Sequence, residues 1–171
     1  KTWAALEAAV DAKQIVEPAS TAHAGFPFDC VDLRAKNIRP ANYSAHRSPR
    51  PWNKIYGFTL HQTGCLFGDN PARWDTVNAH VGVRRDGTIV LMNDFQDFIW
   101  HAQGLSHNTI GIEVSGNMEG VEGNRSTLWV GGGSSTGYDS LDGPHSATEG
   151  QIKSLRLFLA WAKKYCESQG A

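Results

Sequence analysis

Apolar positions recur along this 171-residue chain with two different periods, and the places where the period switches mark its elements. Positions 3–13 set Trp3, Leu6, Ala9 and Val10 at helical spacing behind Thr2, a candidate N-cap, which predicts a short amphipathic helix. From 15 to 51 the chain carries five of its seven prolines among scattered polar residues. No period of 2 or 3.6 is sustained there, which predicts irregular coil wrapping the domain. A β-branched and aromatic run over 55–60 predicts a central strand. Asn70 followed by Pro71 supplies a cap and a first helical position, starting a helix that runs to about Val77.

The clearest local signal follows. Val81-Gly82-Val83 and Thr88-Ile89-Val90-Leu91-Met92 flank Arg84-Arg85-Asp86-Gly87, and an Asp-Gly pair between two apolar runs predicts a hairpin because its turn needs positive φ. In 109–114, Ile110, Ile112 and Val114 fall on one face of a strand and Gly111 and Glu113 on the other, so a lone carboxylate points away from the apolar set. Glycine and serine recur without a period over 115–143, which predicts a long mobile insertion, either a cover for a cleft or a surface excursion. Thr148 and Gln151 form a capping box ahead of a stripe of Ile152, Leu155, Leu159, Ala162 and Cys166. That helix belongs to the core. The order strand, helix, hairpin, strand, helix predicts an α/β domain with a mixed central sheet and flanking helices. The expected division is 1–50 as helix and wrapping segment and 51–171 as the domain proper.

Composition narrows the function classes. At this length folding hides roughly 70% of the unfolded surface, enough for one core. Sixteen basic against 17 acidic residues give a formal charge of -1 with no long like-charge run, which removes the electrostatic footprint of a nucleic-acid binder. No run of about 18 apolar residues is present, so no membrane-spanning helix is predicted. The chain begins at Lys1 with neither a signal-like segment nor an initiator methionine, from which removal of something upstream is expected. Cys30, Cys65 and Cys166 are odd in number and widely spaced, which is neither a disulfide framework nor a zinc-ribbon pattern.

Candidate chemistry concentrates in the middle of the chain. His61 ends an apolar, strand-like run, and a donor at a strand terminus sits on the rigid kind of element that a site requires. His80 and His101 follow within 40 residues of it. Any one of the three, read alone, is equally a hydrogen-bonded structural imidazole. Zinc is the metal that neutral imidazoles most commonly select, and a catalytic zinc takes three protein donors plus one open position. Glu113 reads either as an exposed strand carboxylate or as the base that metal-assisted hydrolysis needs. Trp100 reads either as core or as a surface on which a sugar or peptide stacks.

Four segments in order carry a family resemblance: Leu60-His61-Gln62-Thr63; Asn78-Ala79-His80 with Arg84-Arg85-Asp86-Gly87-Thr88-Ile89; Trp100-His101-Ala102-Gln103-Gly104; and Asn108-Thr109-Ile110-Gly111-Ile112-Glu113-Val114. With the final helix they resemble the zinc-dependent N-acetylmuramoyl-L-alanine amidases, whose fold is shared by phage endolysins, bacterial cell-wall amidases and peptidoglycan recognition proteins. The resemblance covers about the last two thirds of the chain. It implies Zn2+ as cofactor, with His61 matching the first zinc ligand and Glu113 the general base. It implies further that Trp100, His101 and Asn108 border the substrate groove, and that His80 stands beside the metal without ligating it. Ala79 occupies a position where phage-type and recognition-protein members carry a tyrosine, a departure that agrees with Glu113. The implied partner is peptidoglycan or a muropeptide, with no nucleic acid and no membrane span, and the implied work is at the cell wall.

The resemblance breaks off at the far end. The family continues past its last helix into a segment with two more ligands, whereas here no histidine follows His145 and no Asp-Pro-Gly occurs. His145 lies in the glycine-rich stretch and Cys166 on the helical stripe, poor places for substitute donors. The expectation is therefore a peptidoglycan amidase, truncated or cleaved in this form. The alternative is a non-catalytic peptidoglycan-binding module with an incomplete metal site.

Overall fold

A computed structural model describes residues 26–34, 49–128 and 143–171 of the chain. Five strands form one mixed sheet: β1 (Cys30–Asp32), β2 (Gly57–Gln62), β3 (Val81–Val83), β4 (Ile89–Leu91) and β5 (Thr109–Val114), in the spatial order β1-β4-β3-β5-β2. The β3–β4 hairpin is antiparallel, whereas β2 and β3 both run parallel to β5, and β1 runs parallel to β4. Helix α1 spans Pro71–Trp74 and helix α2 spans Glu149–Ser168.

The two faces of the sheet differ because alternate residues point opposite ways. Ile110, Ile112 and Val114 of β5, with Val81, Val83, Ile89 and Leu91 beside them, are all fully buried on the face that α2 covers with Leu155, Phe158 and Ala162. The opposite face carries Gly111 and Glu113, and a second, smaller cluster of Trp74, Ala79, Val90, Met92 and Phe67 packs over its β3–β4 side. One face is thus a core and the other is part core, part site.

The capping box fixes where α2 starts. Thr148 accepts from the Gln151 backbone N–H and the Gln151 side chain accepts from that of Thr148, at 3.0 Å each. Gln151, fully buried, also donates to the Ser115 carbonyl at 2.8 Å, which ties the helix to the end of β5. At the hairpin turn Gly87 has φ +94°, and a Cβ there would lie 2.6 Å from the Gly150 carbonyl oxygen, so only glycine lets the turn sit on the first turn of α2.

Four expectations need correction. The run read as a central strand over 55–60 forms β2 at the edge of the sheet, paired with β5 and starting at Gly57, because an apolar run does not say how many neighbours a strand has. Residues 30–32 lie inside the segment read as irregular coil, yet they form β1; three residues are too few to show a period, and the strand is defined by pairing with β4. The helix after Asn70 stops at Trp74 instead of Val77, with turns following. The start of the predicted mobile insertion, residues 115–119, is packed: Met118 and Ser115 are fully buried, Asn117 and His145 exchange two hydrogen bonds, and the Met118 N–H donates to the Gln62 side chain at 2.6 Å. The predicted helix over 3–13 and the glycine run at 131–133 fall outside the described residues.

Candidate functional site

Parallel register between β2 and β5 pairs His61 with Glu113, and the same row continues into β3 at Gly82. Paired residues of a sheet send their side chains to one face, so the imidazole and the carboxylate rise side by side over the surface that α2 does not cover. Gly82 has no side chain in that row, and the Trp74 ring fills the place: a Cβ at 82 would lie 2.4 Å from it. Trp74 is fully buried and donates its indole N–H to the Gly68 carbonyl at 3.1 Å. Glu113 therefore stands between an aromatic wall and His61.

Enclosure sets the chemistry of the carboxyl. Its Oε2 is buried and has no hydrogen-bond partner. Removal from water without compensation disfavours the ionised form, and burial pushes the Glu113 carboxyl up to about 7. A carboxyl that titrates near neutrality can both take and return a proton.

His101 comes to the same place from a loop. Its ring lies flat against Gly111, where a Cβ would meet the ring carbon at 2.6 Å, and its Nδ1 is 3.2 Å from His61 Nε2. The other nitrogen, Nε2, lies 3.3 Å from the Thr109 carbonyl, which can only accept, so Nε2 carries the proton and Nδ1 is bare. The loop itself is fixed by the fully buried Ser106, whose hydroxyl accepts from the N–H groups of His101 and Ala102 at 3.0 and 2.7 Å. Burial holds the His61 ring below the usual imidazole range. Burial, with smaller contributions from His61 and Arg50 and against the Thr109 hydrogen bond, lowers His101 to about 4. Both rings are neutral at pH 7, the state in which imidazole binds a metal.

Beneath the loop lies a residue that sequence reasoning missed. Arg50 is buried, donating to the carbonyls of Ser106 and Thr109 at 2.8 and 2.9 Å and of Phe95 at 2.6 Å. One guanidinium thereby joins three points of the segment that carries Trp100 and His101. His80 is fully buried next to it, accepting from the Gly111 N–H at Nδ1 and facing the Asp97 carbonyl with Nε2, so both of its nitrogens serve the structure.

The remaining sequence candidates separate. Trp100 is half exposed and borders an open hollow with His101 and Leu105. Asn108 stands at the start of β5, five residues and about 16 Å of strand from Glu113, and its amide donates to the Lys54 carbonyl at 2.9 Å. Cys166 is buried among the α2 core residues on the opposite side of the sheet, and His145 is bound to Asn117. Among the described residues no group of three His, Cys, Asp or Glu side chains is placed to hold a metal ion. His61, a neutral imidazole at the end of a strand, is a donor of the kind zinc selects and supplies one of the three that a catalytic zinc takes.

Residues 51–169 match the family model described as N-acetylmuramoyl-L-alanine amidase. Among solved structures, the endolysin N-acetylmuramoyl-L-alanine amidase LysCS from Clostridium intestinale is similar with a TM-score of 0.50 and 18% identity, over 80% of this chain and 75% of that one. The Drosophila peptidoglycan recognition protein SA is similar with a TM-score of 0.54 and 12% identity, over 82% of this chain and 75% of that one. At such identities the likeness is one of fold. No curated protein is significantly similar in sequence.

Proposed function

The chain belongs to the N-acetylmuramoyl-L-alanine amidase family, and from that premise we propose that it is a zinc-dependent hydrolase cleaving the amide between N-acetylmuramic acid and the L-alanine of the peptidoglycan stem peptide. The observation that carries this reading is the pairing of His61 with a Glu113 carboxyl that titrates near 7.

In this proposal His61 holds the zinc, which when bound polarises the scissile carbonyl. Glu113 takes a proton from the attacking water and returns it to the leaving alanine amine, a double duty for which a pKa near the working pH is best. The wall formed by Trp74 keeps bulk water from the carboxyl. Trp100 and His101 line the hollow that receives the junction of glycan and peptide, and Asn108 acts from a distance by fixing the start of β5. Replacing Glu113 by Gln in the full-length protein should lower muropeptide hydrolysis by roughly 10²–10⁴-fold while leaving the fold and the bound zinc in place. Retained turnover removes the mechanism.

A second reading, a peptidoglycan-binding module without catalysis, draws on one observation: no three metal donors converge among the described residues. Metal analysis of the full-length protein separates the two. About one zinc per chain with hydrolysis supports the enzyme; binding to peptidoglycan with no zinc and no hydrolysis supports the module.

A further inference from the structure

We infer that His101 is a positioning residue that acts through His61: its bare Nδ1 accepts the Nε2 proton of His61, so that Nδ1 is the nitrogen His61 presents to the metal. The inference rests on the proposed zinc at His61 for its last step only. Which nitrogen carries which proton follows from the chain's own hydrogen bonds.

The protons are fixed from the far end of the row. Thr59 donates its hydroxyl to Thr109 Oγ1 at 2.8 Å, and Thr109 Oγ1 donates in turn to the Leu105 carbonyl at 2.8 Å. A hydroxyl has one proton, so Thr109 Oγ1 has none left for His101 Nε2, 3.5 Å away. The Thr109 carbonyl, 3.3 Å from the same Nε2, can only accept. Both neighbours of Nε2 are therefore acceptors, and a neutral His101 carries its proton there. Its Nδ1 keeps a lone pair that faces His61 Nε2 at 3.2 Å. Two bare nitrogens at that separation would oppose their lone pairs, so His61 carries its proton on Nε2 and donates it. His61 Nδ1 is then bare, and no hydrogen bond engages it among the described residues.

A histidine that binds a metal almost always donates its other N–H to an acceptor that fixes the ring and its tautomer. For His61 that acceptor is His101. The accepting ring is itself held against turning: it lies on Gly111, where a Cβ would come within 2.6 Å, and its backbone N–H donates to the Ser106 hydroxyl at 3.0 Å. Arg50 donates to the same Thr109 carbonyl at 2.9 Å and so fixes the last acceptor of the chain. His80 cannot take this part, because its Nδ1 accepts from the Gly111 N–H and its Nε2 faces the Asp97 carbonyl. With both of its own nitrogens engaged, His101 adds no donor to the metal and reaches it only through His61.

Nitrogen-15 NMR of the full chain, labelled in its histidine rings, stripped of metal and then titrated with Zn2+ at neutral pH, tests the assignment without any variant having to fold. Expected in the stripped protein is a scalar coupling across the hydrogen bond between His61 Nε2 and His101 Nδ1, with the proton on the former. Expected with Zn2+ is a large shift of His61 Nδ1 while that coupling persists. Calorimetric Zn2+ titration of two variants adds a readout that lost packing alone does not produce. His101→Leu removes the acceptor and should weaken zinc by at least about tenfold, as loss of an outer partner does. His101→Asn keeps an oxygen close to where Nδ1 stands and should recover most of that loss. Absence of the coupling, movement of His61 Nε2 in place of Nδ1, His101→Leu within twofold of wild type, or no advantage of Asn over Leu each overturns the inference and leaves zinc at His61 standing. A wild type that takes up no zinc removes the zinc reading, and the inference with it.

Discussion

His61 and Glu113 are register partners on adjacent parallel strands, one held neutral by burial and the other held near its protonation midpoint by the same burial. Neither depends on an ion pair for its state. The Trp74 ring stands over Gly82, the next residue along the row from Glu113. A neutral imidazole and a carboxyl that exchanges protons near pH 7 thus stand side by side on one face of the sheet.

The Glu113 shift has a consequence for stability, with a definite sign. A carboxyl whose folded pKa is raised from about 4.5 to about 7 favours the fold while it is protonated. Its contribution is full below the unfolded value and is lost as pH rises through the window from 4.5 to 7, because there the folded state binds more protons than the unfolded one. Glu113→Gln removes that loss. Urea unfolding of the metal-free protein should show the variant gaining on wild type between pH 5 and pH 8, by up to roughly 3 kcal/mol. An equal difference at both pH values contradicts the assigned burial.

His101 produces the opposite slope. An imidazole whose pKa falls from 6.5 to about 4 on folding contributes stability that is present above 6.5 and lost as pH falls toward 4. His101→Gln should therefore flatten the acid limb of the wild-type stability curve. The measurement is the same unfolding series at pH 4, 5, 6 and 7. A limb that stays as steep as in wild type assigns the acid loss to other groups.

Gly111 and Gly82 are places where a single methyl group has two different effects. Gly111→Ala meets the part-buried His101 ring, so its main effect is to displace that ring from its hydrogen bond with His61. Gly82→Ala meets the fully buried Trp74, which cannot move without opening the second core. Overpacking of this kind costs about 1–3 kcal/mol. The prediction is that Gly82→Ala lowers stability by that order and Gly111→Ala, which meets a part-buried ring at the edge of the site, by less. Thermal unfolding of the two variants checks it.

Much of this arrangement was legible in the residues. The hairpin announced itself through Asp86-Gly87, α2 through Thr148 and Gln151, and the placement of Glu113 through the alternation of 109–114, because each depends on chemistry within a few positions. His61 stood out for the same reason, at the end of a strand. What stayed hidden depends on contacts between distant segments. No local pattern shows that Arg50 is buried or that it reaches carbonyls 45 to 59 residues away. No local pattern shows that Trp74 fills the space above Gly82 or that Cys30–Asp32 completes a sheet edge. Gly111 did carry a signal, since a glycine inside a strand marks close approach of another group, but only the structure identifies that group as His101. The division at residue 50 rested on where family likeness begins, a boundary that β1 and Arg50 both cross by contact with the domain.

Trp100 offers a test of recognition separate from catalysis. Its ring is about half exposed beside the hollow and makes tilted contact with Phe98 at 5.7 Å, so truncation removes a stacking surface without opening a core. Trp100→Ala should weaken peptidoglycan binding by about tenfold, the scale of 1–1.5 kcal/mol for an aromatic contact, with a melting temperature near that of wild type. Sedimentation of the protein with purified cell walls measures the first quantity. Unchanged sedimentation would remove Trp100 from the groove.

Arg50 separates support of the site from the site itself. Its guanidinium satisfies the Phe95, Ser106 and Thr109 carbonyls at once, and only a planar fork with several N–H groups can reach all three. Arg50→Met fills a similar volume and leaves those acceptors without their donor, at about 1–3 kcal/mol for each buried group left unpaired. Arg50→Lys restores one donor of the several, so it should recover only part of the loss. Expected is a graded order of stability in urea, wild type above Lys above Met. If Arg50→Lys matches wild type in urea, the fork is not required and the loop is held by its other hydrogen bonds, those of Ser106 among them.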